Sequence, residues 1–411
     1  MVGPVHRLRL SRDFWLYLAS RFCSATAMMM LRAAIAWHVF ALSHSAFHLG
    51  LIGLVQFVPV LCLMLLGGAI ADAYDRRRVM MLAQLIPLGS SAVLFLATRS
   101  GVVSLPLLYA TVALGAVAWA FDSPSRAALL PALVGREAFP RAVTIASTVQ
   151  ALAFATGPAV CGWVIAVAGV GSVYAVQGWL IAGALAALGA LRTRSRGGPA
   201  GGTVSWRAIR EGLGFVRRHE VVLGCMTLDM FAVIFGGATA LLPIYATEIL
   251  GVGPRGYGLL AASLDLGALV MSLALVLLPP IRRAGRALLC AVAVYGVATI
   301  VFGLSRSFPL SVLAYMTVGM ADQVSVVMRG TAIQLSTPDA LRGRVSGVNM
   351  IFIGASNQLG AAESGFVAAL TSATFAVVSG GLGCLTVLAI VATRLPQLRR
   401  YRSDGLYAKS L

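Results

Sequence analysis

Long apolar runs recur along the whole chain, and each is long enough to cross the ~30 Å hydrocarbon core of a bilayer. With 59% hydrophobic and only 11% charged residues, the composition excludes an ordinary soluble protein. The runs predict an all-α integral membrane protein with twelve transmembrane helices. The predicted spans are 13–41, 46–71, 79–98, 102–125, 139–167, 171–191, 220–249, 255–280, 287–304, 308–328, 344–370 and 373–395.

The basic residues lie almost entirely on one side of these predicted helices. The net charge is +18, and with the N-terminus inside the cell 27 of the 32 Lys and Arg residues fall in cytoplasmic segments and three in outer loops. This asymmetry follows the positive-inside rule. It predicts a multi-pass protein of the cell inner (plasma) membrane with both termini in the cytoplasm. The basic charge is expected to meet anionic lipid headgroups rather than nucleic acid.

A polar break divides the twelve spans into six and six. Residues 1–192 are predicted to form an N-terminal six-helix bundle and residues 220–396 a C-terminal one. Residues 193–219 are predicted to be a cytoplasmic linker, and residues 397–411 a cytoplasmic tail. Short similar segments at equivalent positions of the two halves indicate an internal duplication, as in many transporters.

The linker is expected to carry an amphipathic helix. Four apolar residues repeat at helical spacing opposite four arginines, which is typical of a helix at a membrane surface. The apolar residues are Trp206, Ile209, Leu213 and Val216, and the arginines are Arg207, Arg210, Arg217 and Arg218.

The turn between the second and third spans combines a small residue, a carboxylate and three arginines. These are Gly68, Asp72, Arg76, Arg77 and Arg78. Small residues allow helices to approach closely, so Gly68 is expected to contact a neighbouring helix. Asp72 is expected to pair with an arginine or to cap a helix N-terminus. Such a contact would close the cytoplasmic side in one state and break in another; an ordinary basic loop is the alternative.

This turn resembles the loop signature of the major facilitator superfamily, Gly-x-x-x-Asp-(Arg/Lys)-x-Gly-(Arg/Lys)-(Arg/Lys). Ala73 replaces the usual basic residue and Asp75 the usual glycine. Further segments are similar to the branch of enterobactin-exporter-like and multidrug efflux proteins, and together they extend across nearly the whole chain. They lie at 130–137, 157–162, 339–345 and 363–365. The resemblance implies two pseudo-symmetric halves that expose a central site to one side at a time, with spans one, four, seven and ten lining the cavity.

The fifth span carries a second motif of that superfamily. Gly-Pro-x-x-Gly-Gly at this place is associated with antiporters, that is, exporters. Here Gly157, Pro158 and Gly162 match, and Cys161 takes the place of the first of the last two glycines. Glycine with proline bends a helix and permits tight packing, which suits a gate. A simple kink without directional meaning is the alternative.

Charged side chains inside the spans cost about 2.5–3.5 kcal/mol each on insertion scales and therefore point to function. At ~1.5 Å rise per residue, Asp229 and Asp265 fall near the midplane. They are the leading candidates for proton coupling, because a carboxylate that is dry in one state and wet in the other binds protons differently in each. A static pair with a tyrosine, glutamine or arginine is the alternative. Asp322 and Glu363 are further candidates.

Arg32 and five aromatic residues are placed toward the substrate pathway by the resemblance. Arg32 is expected to meet an anionic substrate or Glu363. The aromatic side chains would stack on an aromatic or amphiphilic substrate, with ordinary packing as the alternative. They are Trp37, Trp119, Phe231, Tyr245 and Tyr315.

Three more charged residues are expected near the inner gate. Arg21 would tie the first span to a neighbouring helix, and Asp122 would bond Ser125 or Arg126 at the end of the fourth span. We therefore group Arg21, Asp122 and Arg126 with the gating residues.

The sequence predicts a secondary active transporter: a proton-coupled exporter of a small amphiphilic organic molecule, such as a siderophore or drug-like compound. An importer or facilitator of sugars and a lysophospholipid flippase are alternatives with the same fold. No Gly-x-x-x-x-Gly-Lys-Ser/Thr stretch, Gly-x-Ser-x-Gly constellation or CxxC spacing occurs, so we expect no direct ATP use, metal, cofactor or enzymatic activity. The expected partners are the substrate, protons and the lipid bilayer, and the chain is expected to act as a monomer.

Overall fold

A computed structural model describes residues 11–135, 137–193, 206–279, 281–338 and 341–402, without the side chains of 64, 65, 69, 71, 72, 206–209 and 212. The described chain is almost wholly helical. The helices are α1 (Arg12–Ser43), α2 (Ala46–Ala73), α3 (Arg76–Arg99), α4 (Leu105–Leu133), α5 (Phe139–Gly189), α6 (Trp206–Arg218), α7 (Glu220–Phe235), α8 (Leu242–Ile244), α9 (Gly253–Leu277), α10 (Ala284–Leu304), α11 (Phe308–Ser336), α12 (Arg342–Leu370), α13 (Ala373–Arg394) and α14 (Pro396–Arg400). A 3₁₀ turn (Ala238–Leu241) and a π-helical segment (Tyr245–Ile249) flank α8.

Each predicted span coincides with helical structure, and ten described helices are long and apolar enough to cross a membrane. The 51-residue α5 contains two predicted spans, separated by the non-helical backbone of Gly169 (φ 78°, ψ 166°). The predicted span 344–370 lies in α12, which is not among the ten. Its amides Asn349, Asn357 and Gln358 lower its mean hydropathy. The chain is thus an all-helical, multi-pass membrane protein.

The two ends of the helical bundle differ in charge. At one end, which we call the arginine end, lie the turn 73–76, the ends of α4, α9, α11 and α13, and the starts of α1, α5, α10 and α12. At the other, which we call the loop end, lie the turns 43–46, 99–105, 249–253, 304–308 and 370–373. On the predicted topology the arginine end is cytoplasmic.

Three buried apolar clusters show how the two parts of the bundle meet. We call α1–α5 the first part and α7–α14 the second part. One cluster includes Met30, Tyr174, Tyr257 and Phe302 and draws side chains from both parts toward the loop end. The other two lie at the arginine end, where each part has its own cluster. The two parts therefore share a core at the loop end and pack separately at the arginine end.

Two glycine crossings join the parts at the loop end. A Cβ atom added to Gly258 of α9 would lie 2.7 Å from the Cα atom of Gly162 of α5. A Cβ atom added to Gly365 of α12 would lie 2.3 Å from the Cα atom of Gly50 of α2. Only glycine lets two helix backbones approach this closely. The crossings and the shared core close the loop end in this conformation.

The linker contains the predicted helix, α6, which packs against α7 and α12. Val216 is buried, and Glu211 forms an exposed ion pair with Arg344 of α12. The side chains of Trp206, Arg207 and Ile209 lie outside the described residues. Contact with a membrane surface stays a prediction for this helix.

Candidate functional site

Charged side chains of the two parts meet in the middle of the bundle. Arg32 lies in the middle of α1 and is exposed, although its neighbours Ala33 and Ala34 are buried. Asp265 of α9 and Asp322 of α11 are half-buried. Electrostatic interactions connect Arg32 to Asp265, and Asp265 to Asp322. A cation of the first part thus interacts with one carboxylate of the second part, which interacts in turn with another; we call these three residues the interface charge cluster.

Tyr257 holds α9 against α1 next to this cluster. Its hydroxyl group donates a hydrogen bond of 2.9 Å to the carbonyl oxygen of Ala33. Its ring centroid lies 5.2 Å from that of the half-buried Trp37. Arg32 also interacts electrostatically with Tyr257. These contacts fix the register of the two parts where Arg32 and Asp265 meet.

Asp229 is paired with an arginine inside the second part. Its carboxylate forms an ion pair with Arg329 of α11, and both side chains are buried. A cavity of about 10 Å³ beside the pair is also lined by Tyr295, Asp322 and Ser325. That volume holds about one water molecule. The cavity lies between Asp229 and the interface charge cluster.

Asp122 forms an ion pair inside the first part, within the single helix α4. Its carboxylate accepts hydrogen bonds from Arg126 at 2.8 and 3.0 Å and from the amide of Gln84 at 3.2 Å. The hydroxyl group of Ser125 bonds the carbonyl oxygen of Phe121 instead. Of the two partners considered for Asp122, the structure shows Arg126.

Arg21 connects α1 to α5 beside this pair. Its guanidinium group donates to the hydroxyl group of Tyr17 at 3.0 Å and to the side chain of Gln150. The Tyr17 hydroxyl group donates in turn to the carbonyl oxygen of Arg126 at 3.1 Å. Three helices of the first part are therefore linked by one polar network at the arginine end.

The arginines of the α2–α3 turn bind the ends of other helices. Arg76 donates to the carbonyl oxygen of Ala128 at 2.9 Å, and Arg77 to those of Gly189 and Leu191 at 2.5 Å each. Lone carbonyl groups at helix C-termini are natural acceptors for such cations. Arg78 is exposed.

Two residues of the turn motif differ from the sequence-based expectation. No described atom lies within 4 Å of a Cβ atom placed on Gly68, so the close approach predicted there is wrong. It occurs one residue earlier, where a Cβ atom on Gly67 would lie 2.0 Å from the carbonyl oxygen of Ala120. A shift of one residue turns a helix by about 100°, which moves Gly68 off the contact face. The side chain of Asp72 lies outside the described residues.

The Gly-Pro motif of α5 lies where α5 contacts both α1 and the other part. A Cβ atom on Gly157 would lie 2.5 Å from the Cβ atom of Met29. The carbonyl oxygen of Pro158 lies 2.7 Å from a Cβ atom placed on Gly258. The motif thus belongs to the crossing of α5 and α9.

Two of the aromatic pathway candidates are buried in the core in this conformation. The hydroxyl group of Tyr245 donates to the carbonyl oxygen of Gly303 at 3.0 Å, and that of Tyr315 lies 2.7 Å from that of Thr239. Both rings pack on Phe302, with centroids 4.6 and 4.9 Å away. They pack in the loop-end core in this conformation, and their contact with a substrate stays a prediction.

The remaining pathway candidates keep some exposure. Trp119 and Phe231 are half-buried, as is Glu363. The carboxylate of Glu363 accepts a hydrogen bond of 3.3 Å from its neighbour Ser364. Arg32 interacts with Asp265 in this structure, and its contact with an anionic substrate or with Glu363 stays a prediction.

The role of Arg329 as the partner of Asp229 was not predicted, because the predicted tenth span ends one residue before it. A signal was present: Arg126 and Arg329 stand at the same distance from the first residues of α4 and α11. Because the halves are predicted duplicates, a buried Arg126 implies a buried Arg329. Tyr257 and Tyr295 carried no such signal, because aromatic residues are common in apolar spans.

The family follows from a match that covers nearly the whole chain. The model of the transmembrane secretion effector family (MFS_3), a branch of the major facilitator superfamily, matches residues 4–407. The chain belongs to this family. It is accordingly a secondary transporter for small molecules and not an enzyme.

Proteins similar to this chain include enterobactin exporters. EntS of Escherichia coli O81 (strain ED1a) is 26% identical over 390 residues, which cover 93% of this chain and 92% of that protein. EntS of Escherichia fergusonii shows the same identity and coverage.

Solved transporter structures show the same fold. The nucleoside transporter NupG superposes with a TM-score of 0.74 at 12% identity, covering 95% of this chain and 100% of that one. A bacterial homologue of the lysosomal transporter Spinster, in an inward-facing and unoccupied conformation, gives 0.70 at 15% identity and covers 97% and 98% of the two chains. The chain therefore has the major facilitator fold.

Proposed function

We propose that this transporter is a proton-coupled exporter of a small amphiphilic organic molecule, such as a siderophore or drug-like compound. The observation that carries the proposal is the interface charge cluster, in which Arg32 of one part interacts with Asp265 of the other, and Asp265 interacts with Asp322. Carboxylates at a midplane interface that opens and closes are suited to binding and releasing protons. The enterobactin exporters among the relatives and the Gly157-Pro158 motif support export.

The proposed cycle rests on a difference between the two ends of the bundle: the parts share a core at the loop end and pack separately at the arginine end. With the arginine end in the cytoplasm, the described conformation faces inward, because the loop end is closed by the glycine crossings. Substrate enters from the cytoplasm, while Asp265 is ionised and attracts Arg32. After the parts rock apart at the loop end, substrate leaves and a proton binds the carboxylates. Return to the inward-facing form releases the proton into the cytoplasm.

The half-buried aromatic residues fit an amphiphilic substrate. Trp37, Trp119 and Phe231 keep exposed surface on α1, α4 and α7, the helices assigned to the cavity by family resemblance. Aromatic faces bind flat apolar groups, and Arg32 would bind an acidic group. We assign Asp229 and its partner Arg329 to the support of this site, linked to Asp322 through the small cavity.

The gating residues are proposed to act at the arginine end. When this end closes in the outward-facing form, the α2–α3 turn with Asp72, Arg76 and Arg77 would meet the second part. Arg21, Asp122 and Arg126 would keep α1, α4 and α5 together as one rigid unit during that motion.

Inverted membrane vesicles test the proposal. Vesicles with an acidic lumen and this protein should accumulate one or more compounds of a panel of siderophores, dyes, antibiotics and sugars, and an uncoupler should abolish the accumulation. One proton exchanged per neutral molecule supports about tenfold accumulation for each pH unit. Uptake into right-side-out vesicles alone would identify an importer instead, and accumulation that survives the uncoupler would refute proton drive.

A further inference from the structure

A second concave site lies far from the interface charge cluster, beside the α2–α3 turn. It has a volume of about 460 Å³. Its wall is apolar, with Ile70, Leu82, Ile86 and Phe121 among the lining residues. Its polar rim at the arginine end includes Tyr74, Asp75 and Arg78. We call it the α2–α3 groove.

The groove opens on the outside of the bundle. Tyr74 is 65% exposed and Leu82 is 66% exposed. Along the same helix Leu85, Val93 and Leu96 are also exposed. Exposed apolar side chains on membrane-spanning helices face lipid acyl chains. The groove is therefore accessible from the bilayer leaflet at the arginine end.

Arg78 differs from the other two arginines of the α2–α3 turn because its guanidinium group is exposed at the rim of the groove. Arg76 and Arg77 donate to carbonyl groups of other helices. Asp75 caps α3, accepting the backbone N–H groups of Arg77 and Arg78 at 3.0 and 3.3 Å. Within the described part of the chain, the exposed guanidinium group of Arg78 makes no hydrogen bond or ion pair.

The apolar wall of the groove suits the acyl chain of an amphiphile, and the guanidinium group of Arg78 at its rim suits an anionic headgroup. We propose that the α2–α3 groove binds an anionic phospholipid of this leaflet, with its phosphate group on Arg78 and one acyl chain along α3. Basic pockets between membrane helices bind such headgroups. From Arg78 to Ile86, α3 rises about 12 Å, which is the depth of the upper part of one acyl chain.

Native mass spectrometry of the full-length protein tests the headgroup contact. The protein is mixed with phosphatidylglycerol or with phosphatidylcholine of the same acyl chains. Wild type is expected to retain phosphatidylglycerol preferentially, and Arg78→Gln to bind it about fivefold more weakly. Arg394→Gln, which removes an exposed arginine at the same end away from the groove, is the control. The proposal would be overturned if wild type and Arg78→Gln retained phosphatidylglycerol equally, or if wild type retained the two lipids equally.

A second pair of variants tests the apolar wall. Ile86→Trp fills the groove and is expected to abolish cross-linking of phosphatidylglycerol with a photoreactive acyl chain to α3. Leu85→Trp places the same side chain on the exposed face next to the groove and should preserve the cross-link. Cross-linking that Ile86→Trp leaves unchanged, or that maps to a different helix, would show that the lipid lies elsewhere. Displacement of the lipid by a transported compound would make the groove a substrate site instead.

Discussion

The buried side chains of Arg329 and Asp229 form an ion pair, and the cost of removing one partner of an ion pair depends on how deeply the pair is buried. Arg329 and Asp229 are 4% and 7% exposed and come from different helices. Removing one partner of such a pair leaves an uncompensated charge in a dry environment, whereas replacing both with apolar side chains of similar volume is often neutral. The exposed pair Arg344–Glu211 is screened by water and contributes little.

We therefore expect Arg329→Leu to destabilise the protein by about 3–5 kcal/mol and to lower its unfolding temperature in detergent. The double variant Asp229→Leu/Arg329→Met should recover most of the loss. Arg344→Leu serves as the control and should cost at most about 1 kcal/mol. Thermal unfolding followed by tryptophan fluorescence measures all three. An Arg329→Leu protein as stable as wild type would contradict the buried pair.

At the scale of the helices, the two glycine crossings determine which end of the bundle is closed. Gly162 with Gly258, and Gly50 with Gly365, bring the backbones of helices from the two parts into contact. A leucine at either crossing has no space unless the parts move apart. The crossings therefore favour the loop-closed conformation only while these positions have no side chain.

Gly258→Leu and Gly365→Leu are expected to shift the protein toward an open loop end. Spin labels at Ser100 and Leu370, in a background without the native cysteines, report the distance between the parts there. Both variants should increase the population at long distances. Gly183→Leu is the matched control, because nothing described lies within 4 Å of a Cβ atom on Gly183. Distances unchanged from wild type in both crossing variants would refute the role of the crossings.

The helices themselves were predictable, because each apolar run has the length of a membrane span. The faces through which these helices contact one another were not predictable from the sequence. The motif pointed to Gly68, but Gly67 makes the contact, and the glycines of α2 cannot be told apart without the neighbouring helix. The pair Asp229–Arg329 and the approach of Arg32 to Asp265 depend on how helices far apart in sequence pack, which no local pattern reports.

At the scale of the whole molecule, the orientation in the membrane remains a prediction from the charge asymmetry. Alkaline phosphatase fused after Leu411 should be inactive, because the C-terminus is expected in the cytoplasm. The same enzyme inserted at Gly101, in the turn after α3, should be active. The reverse pattern would place the arginine end outside the cell and turn the described conformation into the outward-facing one.

The central claim is that carboxylates between the two parts couple proton movement to export. The most direct test compares Asp265→Asn with wild type in inverted vesicles, once a transported compound is known. The variant should lose the accumulation driven by the pH gradient, about tenfold per pH unit, yet retain exchange of labelled for unlabelled compound. Glu248→Gln, at an exposed carboxylate of the loop end, should behave as wild type. Undiminished accumulation by Asp265→Asn would contradict the account.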